Sequence, residues 1–366
     1  MTDKFNLIIA GGKTGGHLFP GIAVAQALKA QYPKAKILFV GTDAPFEVST
    51  LKTYGFDHKT IISRPIKGGS LLNKLYSMAL ILVSLVQALA ILTRFKADFV
   101  LGVGGFSSFA VVLAAWILRI PRAIQEQNSI PGITNRLLSR FAGSIFTAFE
   151  TTRGMTGNPK TNCVGNPIRR TTPTENLETP MDIHPDDFVI LVTGGSQGAA
   201  SINRAFVQSI KHMDNLDRVY IIHQTGLADE ATIRQAYGQL SVRRTVRAFF
   251  QNMPALQDKA SLAIARAGAS TVSELNIKGL PAILVPFPHA ADDHQTFNAR
   301  ILEEKGAAIV IADKDLKGSA LKDTLQTLLA DREKLKQMGI AAKKLAMPDA
   351  DKIIATIILN TKNLGV

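Results

Sequence analysis

Twice along this chain, a short apolar run is followed directly by glycines and then by a helix-like run. The first copy, "NLIIAGGKTGGHLFPG", spans Asn6 to Gly21, and the second, "FVILVTGGSQGAASINRAF", spans Phe188 to Phe206. A buried strand that turns through glycine into a helix is the opening unit of a doubly wound α/β domain. Two copies in a chain of 366 residues therefore predict two such domains.

The remaining apolar runs continue the same alternation. Strands are predicted in the first half at "AKILFVG", "ADFVLGVGG" and "RAIQEQN", and in the second at "DRVYIIHQTG", "TVRAFFQNM", "ASLAIARAGAS" and "LPAILVPFP". Short buried strands that alternate with helices are typical of parallel sheets. We therefore predict an α/β protein of two doubly wound, Rossmann-like domains with a cleft between them.

A proline-rich stretch without apolar periodicity predicts the domain boundaries. We place an N-terminal domain at 1–164, a linker at 165–187 and a C-terminal domain at 188–345. Residues 346–366 are predicted to form a C-terminal helix that could pack back on the N-terminal domain.

The net charge of +13 is concentrated in the first half, where residues 1–165 hold 18 Lys+Arg and only 7 Asp+Glu. A basic half favours an anionic membrane, an acidic substrate or nucleic acid, although a generally basic proteome would also explain it. We do not expect nucleic acid, because the sequence has no arginine-rich recognition helix, aromatic RNA-binding signature or metal-finger spacing. The single cysteine, Cys163, fits a reducing cytoplasm. The N-terminal sequence does not have the pattern of a signal peptide.

One uncharged segment, Leu75 to Leu92, is just long enough to span a bilayer. Polar residues interrupt it and a span there would divide the sheet, so a helix that covers the sheet is the favoured prediction. The flanking cations are Arg64, Lys67, Lys74, Arg94 and Lys96. Apolar side chains ringed by cations suit the surface of an anionic membrane, and we predict peripheral contact there.

The first glycine turn is similar to an ATP-binding phosphate loop but does not match it, because Leu7 stands where that pattern requires its first glycine. Neither turn matches the dinucleotide pattern G-x-G-x-x-G. Asp43, after the second predicted strand, could still imitate a ribose-binding carboxylate. Glycines at a helix start can nevertheless bind a phosphate through backbone N–H groups. Both turns are therefore predicted to hold a phosphate or another charged group.

Two further loops of the second half carry polar side chains. In "RAGASTVSELNIKGLP", Gly268 to Thr271 could admit a diphosphate at a helix N-terminus, and Glu274 could accept hydrogen bonds from ribose hydroxyls. A plain capped helix is the alternative. In "PFPHAADDHQTFNAR", no zinc-ligand spacing is evident. A loop that hydrogen-bonds to sugar hydroxyls is therefore favoured over a metal site.

Taken in order, these loops resemble the MurG family of bacterial peptidoglycan glycosyltransferases. The motifs that carry the resemblance along essentially the whole chain are "GGKTGGHLFPGIAVAQAL", "LGVGGFSS", "EQNSIPGITNR", "VGNPIR", "GGSQGA", "RAGASTVSE" and "DDHQTFNA". The family transfers N-acetylglucosamine from UDP-N-acetylglucosamine to lipid I, the lipid-linked muramoyl-pentapeptide, and so makes lipid II. Two positions depart from its pattern: Lys13 replaces a usual glycine, and Gln125 replaces the histidine of "HEQN".

The resemblance implies a GT-B type fold in which the C-terminal domain binds the donor and the N-terminal domain binds the acceptor. It implies substrate contacts from the first domain at Thr14, Gly15, Gly16, Asn128 and Arg169. It implies further contacts from the second domain at Ser196, Phe250, Gly268, Ala269, Ser270, Thr271, Val272, Ser273, Glu274 and Gln295, with His294 beside Gln295. Phe250 falls at the uracil-contact position, where backbone contacts would tolerate a changed side chain.

The implied reaction is a single displacement with inversion, and it needs a base to take the proton of the acceptor hydroxyl. His17 is our candidate, because histidine in water titrates at about pH 6.5. The alternative is a histidine that caps the helix or binds the acceptor diphosphate. No cofactor is expected to be required, and a divalent cation would at most stimulate the reaction, since no ligand motif is evident.

The expected partners are UDP-N-acetylglucosamine, lipid I, an anionic membrane surface and other cell-wall synthesis proteins. We expect a peripheral protein on the cytoplasmic face of the plasma membrane. Three other functions stay open at this stage: another nucleotide-sugar-dependent transferase with a lipid acceptor, a nucleotide-cofactor oxidoreductase, and a non-catalytic membrane scaffold. Binding of NAD instead of UDP would favour the oxidoreductase, and a lack of turnover with labelled donor would favour the scaffold.

Overall fold

The structure is a computed structural model that describes residues 4–12, 14–63, 71–168 and 181–363, with the backbone alone at 71–78 and 362–363. The chain divides into two compact units. The first combines Met1–Arg169 with Met347–Val366, and the second is Arg170–Ala346. The predicted linker, 165–187, lies partly outside the described residues.

The first unit is built on a seven-stranded parallel sheet with the order β3-β2-β1-β4-β5-β6-β7. Its strands are β1 (Asn6–Ala10), β2 (Lys36–Gly41), β3 (Asp57–Thr60), β4 (Phe99–Gly102), β5 (Arg122–Glu126), β6 (Ser144–Thr147) and β7 (Thr161–Cys163). Its helices are α1 (Gly15–Gln31), α2 (Pro45–Thr53), α3 (Leu71–Phe95), α4 (Phe106–Ile117), α5 (Ile133–Leu138) and α13 (Ala350–Asn363).

The central strand β1 shows how this sheet is covered on both faces. Ile8 lies opposite Leu38 of β2 and Val100 of β4, so β1 is hydrogen-bonded on both sides. Leu7 and Ile9 belong to a buried cluster with side chains of α1 and α13. Ile8 and Ala10 point to the opposite face, into a cluster with side chains of α3 and α4. Alternating burial on two faces explains why β1 reads as a continuous apolar run.

The uncharged segment Leu75–Leu92 forms most of α3, which packs against α4. Ala88 and Leu92 are fully buried in the cluster that covers the sheet. The favoured prediction for this segment, a helix on the sheet, is therefore confirmed. Within the part of the chain that the structure describes, no helix is both long enough and apolar enough to cross a membrane.

The second unit has a six-stranded parallel sheet with the order β10-β9-β8-β11-β12-β13. Its strands are β8 (Phe188–Thr193), β9 (Val219–Gln224), β10 (Arg243–Arg247), β11 (Leu262–Ala265), β12 (Ala282–Leu284) and β13 (Ala308–Val310). Its helices are α6 (Ala200–Lys211), α7 (Glu230–Tyr237), α8 (Met253–Lys259), α9 (Ala269–Lys278), α10 (His294–Glu304), α11 (Gly318–Ala330) and α12 (Arg332–Lys344).

The strand prediction was too long at one point and missed several short strands. In "TVRAFFQNM", β10 ends at Arg247, and the aromatic residues that follow lie in the loop before α8. The sequence reasoning did not find β3, β6, β7 or β13. These strands have three or four residues, and β3 is polar and mostly exposed, so apolar periodicity carries little signal there.

In each sheet the chain order reverses next to the first strand of the unit, between β1 and β4 and between β8 and β11. Ligands of doubly wound proteins bind outside the carboxyl ends of the strands at such switch points. The loops that follow β1, β4 and β5, and those that follow β8, β9 and β11, are therefore where a site is expected.

A buried histidine lies in the core of the second unit. The Nδ1 atom of His223 is 3.0 Å from the Tyr237 hydroxyl, and its Nε2 atom is 3.0 Å from Asn203 Oδ1. Both neighbours suit a neutral ring, which has one donor and one acceptor. Burial lowers the pKa of His223 to about 3.

This lowered pKa predicts that the second unit loses stability in mild acid. The unfolded chain binds a proton at His223 below about pH 6.5 while the folded chain does not, so this residue should remove about 1.4 kcal/mol per pH unit from there down to its folded pKa. Urea unfolding between about pH 7.5 and 5, monitored through hydrogen exchange of the β8 and β9 amides, measures the change in unfolding free energy with pH. His223→Gln should reduce the slope and His212→Gln, at an exposed histidine, should not; equal slopes in all three proteins would contradict the assignment.

Candidate active site

The loop after β1 is pressed against the loop after β4. Gly11 and Gly12 have φ of +113° and +135°. A Cβ on Gly11 would lie 2.0 Å from the carbonyl oxygen of Gly104. Only glycine fits such a close approach of two backbones.

His17, in the first turn of α1, lies at this junction. Its Nδ1 atom is 3.0 Å from Thr14 Oγ1. Its ring rests on Gly104, where an added Cβ would lie 2.5 Å from Cδ2 of the imidazole. The ring is half-buried, while Thr14 and Gly16 are exposed beside it. The fold therefore brings the candidate base together with Thr14, Gly15 and Gly16 and with the second glycine motif, "LGVGGFSS".

The loop after β5 is held by one buried carboxylate. Glu126 is 1% exposed and accepts hydrogen bonds from the backbone N–H groups of Asn128 (2.9 Å) and Gly132 (3.2 Å) and from Asn135 Nδ2 (2.9 Å). Burial raises the pKa of this carboxyl, and these hydrogen bonds oppose the shift. Glu126 thus determines where Asn128, a predicted contact residue, is placed. This role of Glu126 is not evident from the sequence motifs, although a charged residue at the end of an apolar strand is a signal for it.

Behind these loops lies a chain of buried amides. Gln127 Nε2 donates to the carbonyl oxygen of Val103, at 2.8 Å, and to Gln125 Oε1. Gln125 Nε2 donates in turn to Asn166 Oδ1, at 3.3 Å. Gln125, which departs from the family pattern, is fully buried. It therefore links the loops from behind and does not face a substrate.

Several predicted residues cannot be placed. Lys13 and Arg169 lie outside the described residues, as do Arg64 and Lys67, and the side chain of Lys74 is not described. The proposed contact at Arg169 therefore stays a prediction.

In the second unit, the glycine turn after β8 is braced by β9. Thr193 Oγ1 accepts hydrogen bonds from the N–H of Gly195 (3.1 Å) and from Gln224 Nε2 (3.2 Å). Gly198 has φ of +77°, and a Cβ there would lie 2.0 Å from the carbonyl oxygen of Thr225. Ser196 is exposed in the turn. The turn is thus held by its ends and presents Ser196 outward.

Phe250 contributes its backbone to this region and its side chain to the core. The ring is buried in a cluster with Tyr220 and Leu256. Its N–H donates to Gln224 Oε1 at 3.0 Å. The same glutamine therefore orients both the glycine turn and the Phe250 position, and a ligand contact at Phe250 would use the backbone.

Helix α9 begins directly after β11, with Gly268 as its N-cap residue. Ala269 and Val272 are buried, and the hydroxyl oxygen of Ser270 is buried without a hydrogen-bond partner. Glu274 is half-buried, and its Oε2 atom accepts a hydrogen bond from Gln257 Nε2 at 3.1 Å. The segment Gly268–Glu274 thus presents a helix N-terminus, an unused hydroxyl and a positioned carboxylate, which together suit a nucleoside diphosphate.

Arg266 anchors this helix start, a role that sequence reasoning missed. Its Nη1 atom donates to the carbonyl oxygen of Pro286, at 3.0 Å, and to the carboxylate of Asp313. Its Nη2 atom donates to Ser201 Oγ at 2.9 Å. Its guanidinium therefore ties the ends of β11 and β12 to α6. No local motif marks such a residue, because its partners are distant in sequence.

The predicted sugar-binding residues, His294 and Gln295, are the first two residues of α10. Gln295 Oε1 accepts the N–H of Phe287 at 3.0 Å, and His294 Nδ1 is 2.7 Å from the carbonyl oxygen of Ala291. Asp292 and Asp293 have φ of 51° and 54°, which side-chain-bearing residues rarely adopt. Such strain is found at functional sites. Among the described residues, no group of three or more His, Cys, Asp and Glu side chains is arranged to hold a metal ion.

Comparison with known families identifies the class of this protein. Residues 7–147 match the glycosyltransferase family 28 N-terminal domain, and residues 189–354 match the family 28 C-terminal domain. The chain belongs to glycosyltransferase family 28.

Its relatives define the group within that family. The chain is 42% identical over 353 residues to the UDP-N-acetylglucosamine--N-acetylmuramyl-(pentapeptide) pyrophosphoryl-undecaprenol N-acetylglucosamine transferase of Anaeromyxobacter sp. (strain Fw109-5). The alignment covers 96% of this chain and 92% of the relative. The chain is 39% identical over 358 residues to the protein of the same name from Geobacter metallireducens, with 97% and 98% covered. The MurG crystal structure from Acinetobacter baumannii superimposes with a TM-score of 0.78 at 30% identity, over 97% of this chain and 99% of that one. The predicted GT-B fold and the resemblance to the MurG family are confirmed.

The contact between Gly104 and His17 generates a prediction. Gly104→Ala should displace the imidazole, because the new methyl group would overlap the ring. A misplacement of about 1 Å can cost about 100-fold in rate, so the glycosyl-transfer rate should fall by that order. Gly105→Ala is the matched control: it also has a positive φ, +82°, but its Cβ would meet no atom within 4 Å. Equal losses in both variants would show that backbone strain, and not the His17 contact, is responsible.

Proposed function

We propose that this chain transfers N-acetylglucosamine from UDP-N-acetylglucosamine to undecaprenyl-diphospho-N-acetylmuramoyl-pentapeptide, lipid I, and so makes lipid II in peptidoglycan synthesis. The observation that carries the proposal is the family membership, with relatives named for this transfer that match nearly the full chain at 42% and 39% identity. The test is a turnover assay with labelled UDP-N-acetylglucosamine and lipid I. Binding of NAD with no binding of UDP would favour an oxidoreductase instead.

The second unit is proposed to bind the donor. The first turn of α9, Gly268 to Ser273, and the turn around Ser196 would hold the diphosphate through N–H groups and hydroxyls. Glu274, already oriented by Gln257, would accept hydrogen bonds from the ribose hydroxyls. Gln295 would read the sugar, and the backbone at Phe250 would contact the uracil.

The first unit is proposed to bind the acceptor. Its loop at Thr14, Gly15 and Gly16 is proposed to hold the acceptor diphosphate and also to approach the sugar and diphosphate of the donor, with Asn128 and Arg169 beside it. The Thr14 contact to Nδ1 of His17 indicates which ring nitrogen could act as the base. If Nδ1–H donates to the threonine hydroxyl, Nε2 carries the lone pair that can accept a proton.

The chemistry is a single displacement. The acceptor hydroxyl oxygen attacks the anomeric carbon as Nε2 of His17 takes its proton, and the bond from that carbon to the UDP oxygen breaks with inversion. The charge that develops on the leaving diphosphate would be stabilised by the N-terminus of α9. On this proposal the reaction needs no cofactor, and a divalent cation would act only as a stimulant.

Peripheral contact with an anionic membrane on the cytoplasmic face is part of the proposal. It is supported by exposed apolar side chains around α3 to α5, such as Val86 at 66%, Trp116 at 46% and Ile133 at 60% exposure. A lipid-linked acceptor requires access to a bilayer, and exposed apolar groups suit that surface. Cell-wall synthesis proteins that act on the same lipid are proposed partners.

The donor assignment predicts that binding depends on Glu274. If its carboxylate accepts hydrogen bonds from both ribose hydroxyls, Glu274→Ala should weaken UDP binding by about 2–4 kcal/mol, because bonds to charged groups are the strong ones. Titration calorimetry with UDP measures this loss. A 2′-deoxyribose donor should bind the parent poorly and be discriminated less by the variant.

Glu304→Ala is the control, since it removes an exposed glutamate of the same unit and should leave UDP affinity unchanged. An unaltered UDP affinity in Glu274→Ala would defeat the ribose assignment.

The base assignment predicts a separate effect on rate. His17→Asn keeps hydrogen-bonding capacity and removes basicity, so kcat should fall by about 100-fold or more while UDP-N-acetylglucosamine affinity stays close to that of the parent. Steady-state kinetics with lipid I measure kcat and the acceptor KM separately. A parent-like rate would place the base elsewhere, and a raised acceptor KM with unchanged kcat would assign His17 to diphosphate binding.

A further inference from the structure

A cavity of about 350 Å³ lies in the first unit, between α3, α4 and α5. Its principal walls are the side chains of Leu80, Ile81, Phe106, Phe109, Ile133 and Leu137. The other described lining residues are an alanine and three hydroxyl residues, so none of them carries a charge. Such a lining suits a hydrocarbon ligand and offers no partner to an ionic one.

Two lining residues of the cavity adjoin, along the chain, the loops proposed to hold the acceptor diphosphate. Phe106 follows Gly104 and Gly105 directly along the chain, and Gly104 lies against the His17 ring. On the other side, Ile133 follows Gly132, whose N–H donates to Glu126. The cavity therefore begins one residue beyond each of two loops at the switch point.

Exposed apolar side chains lie at the rim of the cavity and elsewhere on α3. Ile133 and Leu137, which line it, are 60% and 44% exposed. Leu82 and Val86, one turn apart on α3, are 57% and 66% exposed and do not line the cavity. A hydrocarbon chain that left the cavity would thus meet apolar side chains before it met water.

We propose that this cavity binds the first isoprene units of the acceptor's polyprenyl chain, next to the diphosphate. The proposal rests on the function proposed above, in which the acceptor joins a diphosphate to an undecaprenyl chain. With the diphosphate at the glycine loops, the first carbons of that chain lie at Phe106. A bilayer phospholipid is the other source of hydrocarbon, but the function proposed above does not require its phosphate to lie beside His17.

The consequence is that the enzyme recognises the tail of its acceptor and not only the head. Burial of the first isoprene units would fix the diphosphate and hence the hydroxyl that attacks the sugar. The tail should then lower the acceptor KM even where no membrane is present.

Two water-soluble acceptor analogues test this without vesicles. They share the diphospho-muramoyl-pentapeptide head; one carries a two-isoprene tail and the other a methyl group. The parent enzyme should show an acceptor KM lower by about tenfold or more for the isoprenyl analogue, because it buries the added hydrocarbon. Ala110→Phe, which fills the cavity, and Ile133→Asp, which places a charge at its exposed rim, should each abolish that preference while UDP affinity stays unchanged.

Val86→Asp is the matched control, since it adds the same charge on α3 outside the cavity. It should keep the tail preference and weaken binding to vesicles that contain anionic lipid. Ile133→Asp also covers the case in which the buried Ala110→Phe variant fails to fold.

Equal KM values for the two analogues in the parent, or a preference that survives Ile133→Asp, would overturn the inference and leave the proposed function intact. So would cavity variants that lose vesicle binding but keep the tail preference, because the occupant would then be a bilayer lipid. If the parent binds UDP-N-acetylglucosamine but glycosylates neither these analogues nor lipid I, the proposed function itself fails, and this inference with it.

Discussion

The backbone contact between Gly11 and Gly104 is the constraint on which the first unit's site depends. A side chain on Gly11 would collide with the carbonyl oxygen of Gly104, and one on Gly104 would collide with His17. Two loops can meet this closely only where neither has a Cβ. The glycines therefore do more than permit turns: they bring His17 of α1 against the loop that follows β4, at the point where the strand order reverses.

The second unit also has a close backbone contact that only glycine permits. Gly198 approaches the carbonyl oxygen of Thr225 as closely as Gly11 approaches Gly104. In both units, buried amide side chains then hold the loops from behind. Gln127 and Gln125 do this in the first unit, and Gln224 does so in the second. The hydrogen bonds of these buried amides link separate segments of the chain and limit how the loops can move.

Ionic residues that support the loops differ in their partners from those proposed to contact substrate. Glu126, which is buried, and Arg266, which is mostly buried, hydrogen-bond to the protein itself and support the loops. The groups proposed to meet substrate, His17 and Glu274, are half-buried, and each is oriented by a neutral neighbour, Thr14 or Gln257. These hydrogen bonds orient the two side chains that are proposed to act on substrate.

The sequence by itself determined the fold class, because strand, glycine turn and helix follow one another locally and each leaves a periodic or compositional mark. It also indicated that His17 stands at a helix start after a strand and that Glu274 lies one turn inside such a helix, since those positions are set by chain order alone. It did not indicate the short strands β3, β6 and β7, the role of Glu126, the Arg266 anchor or the cavity at Phe106. The partners of Glu126 are close in the chain, but no residue pattern marks hydrogen bonds to backbone N–H groups. The Arg266 anchor and the cavity depend on residues far apart in the chain: Arg266 meets Ser201 and Asp313, and Phe106 shares a cavity with Leu80 and Ile133. Such partners are chosen by sheet order and helix packing, and only the tertiary structure brings them together.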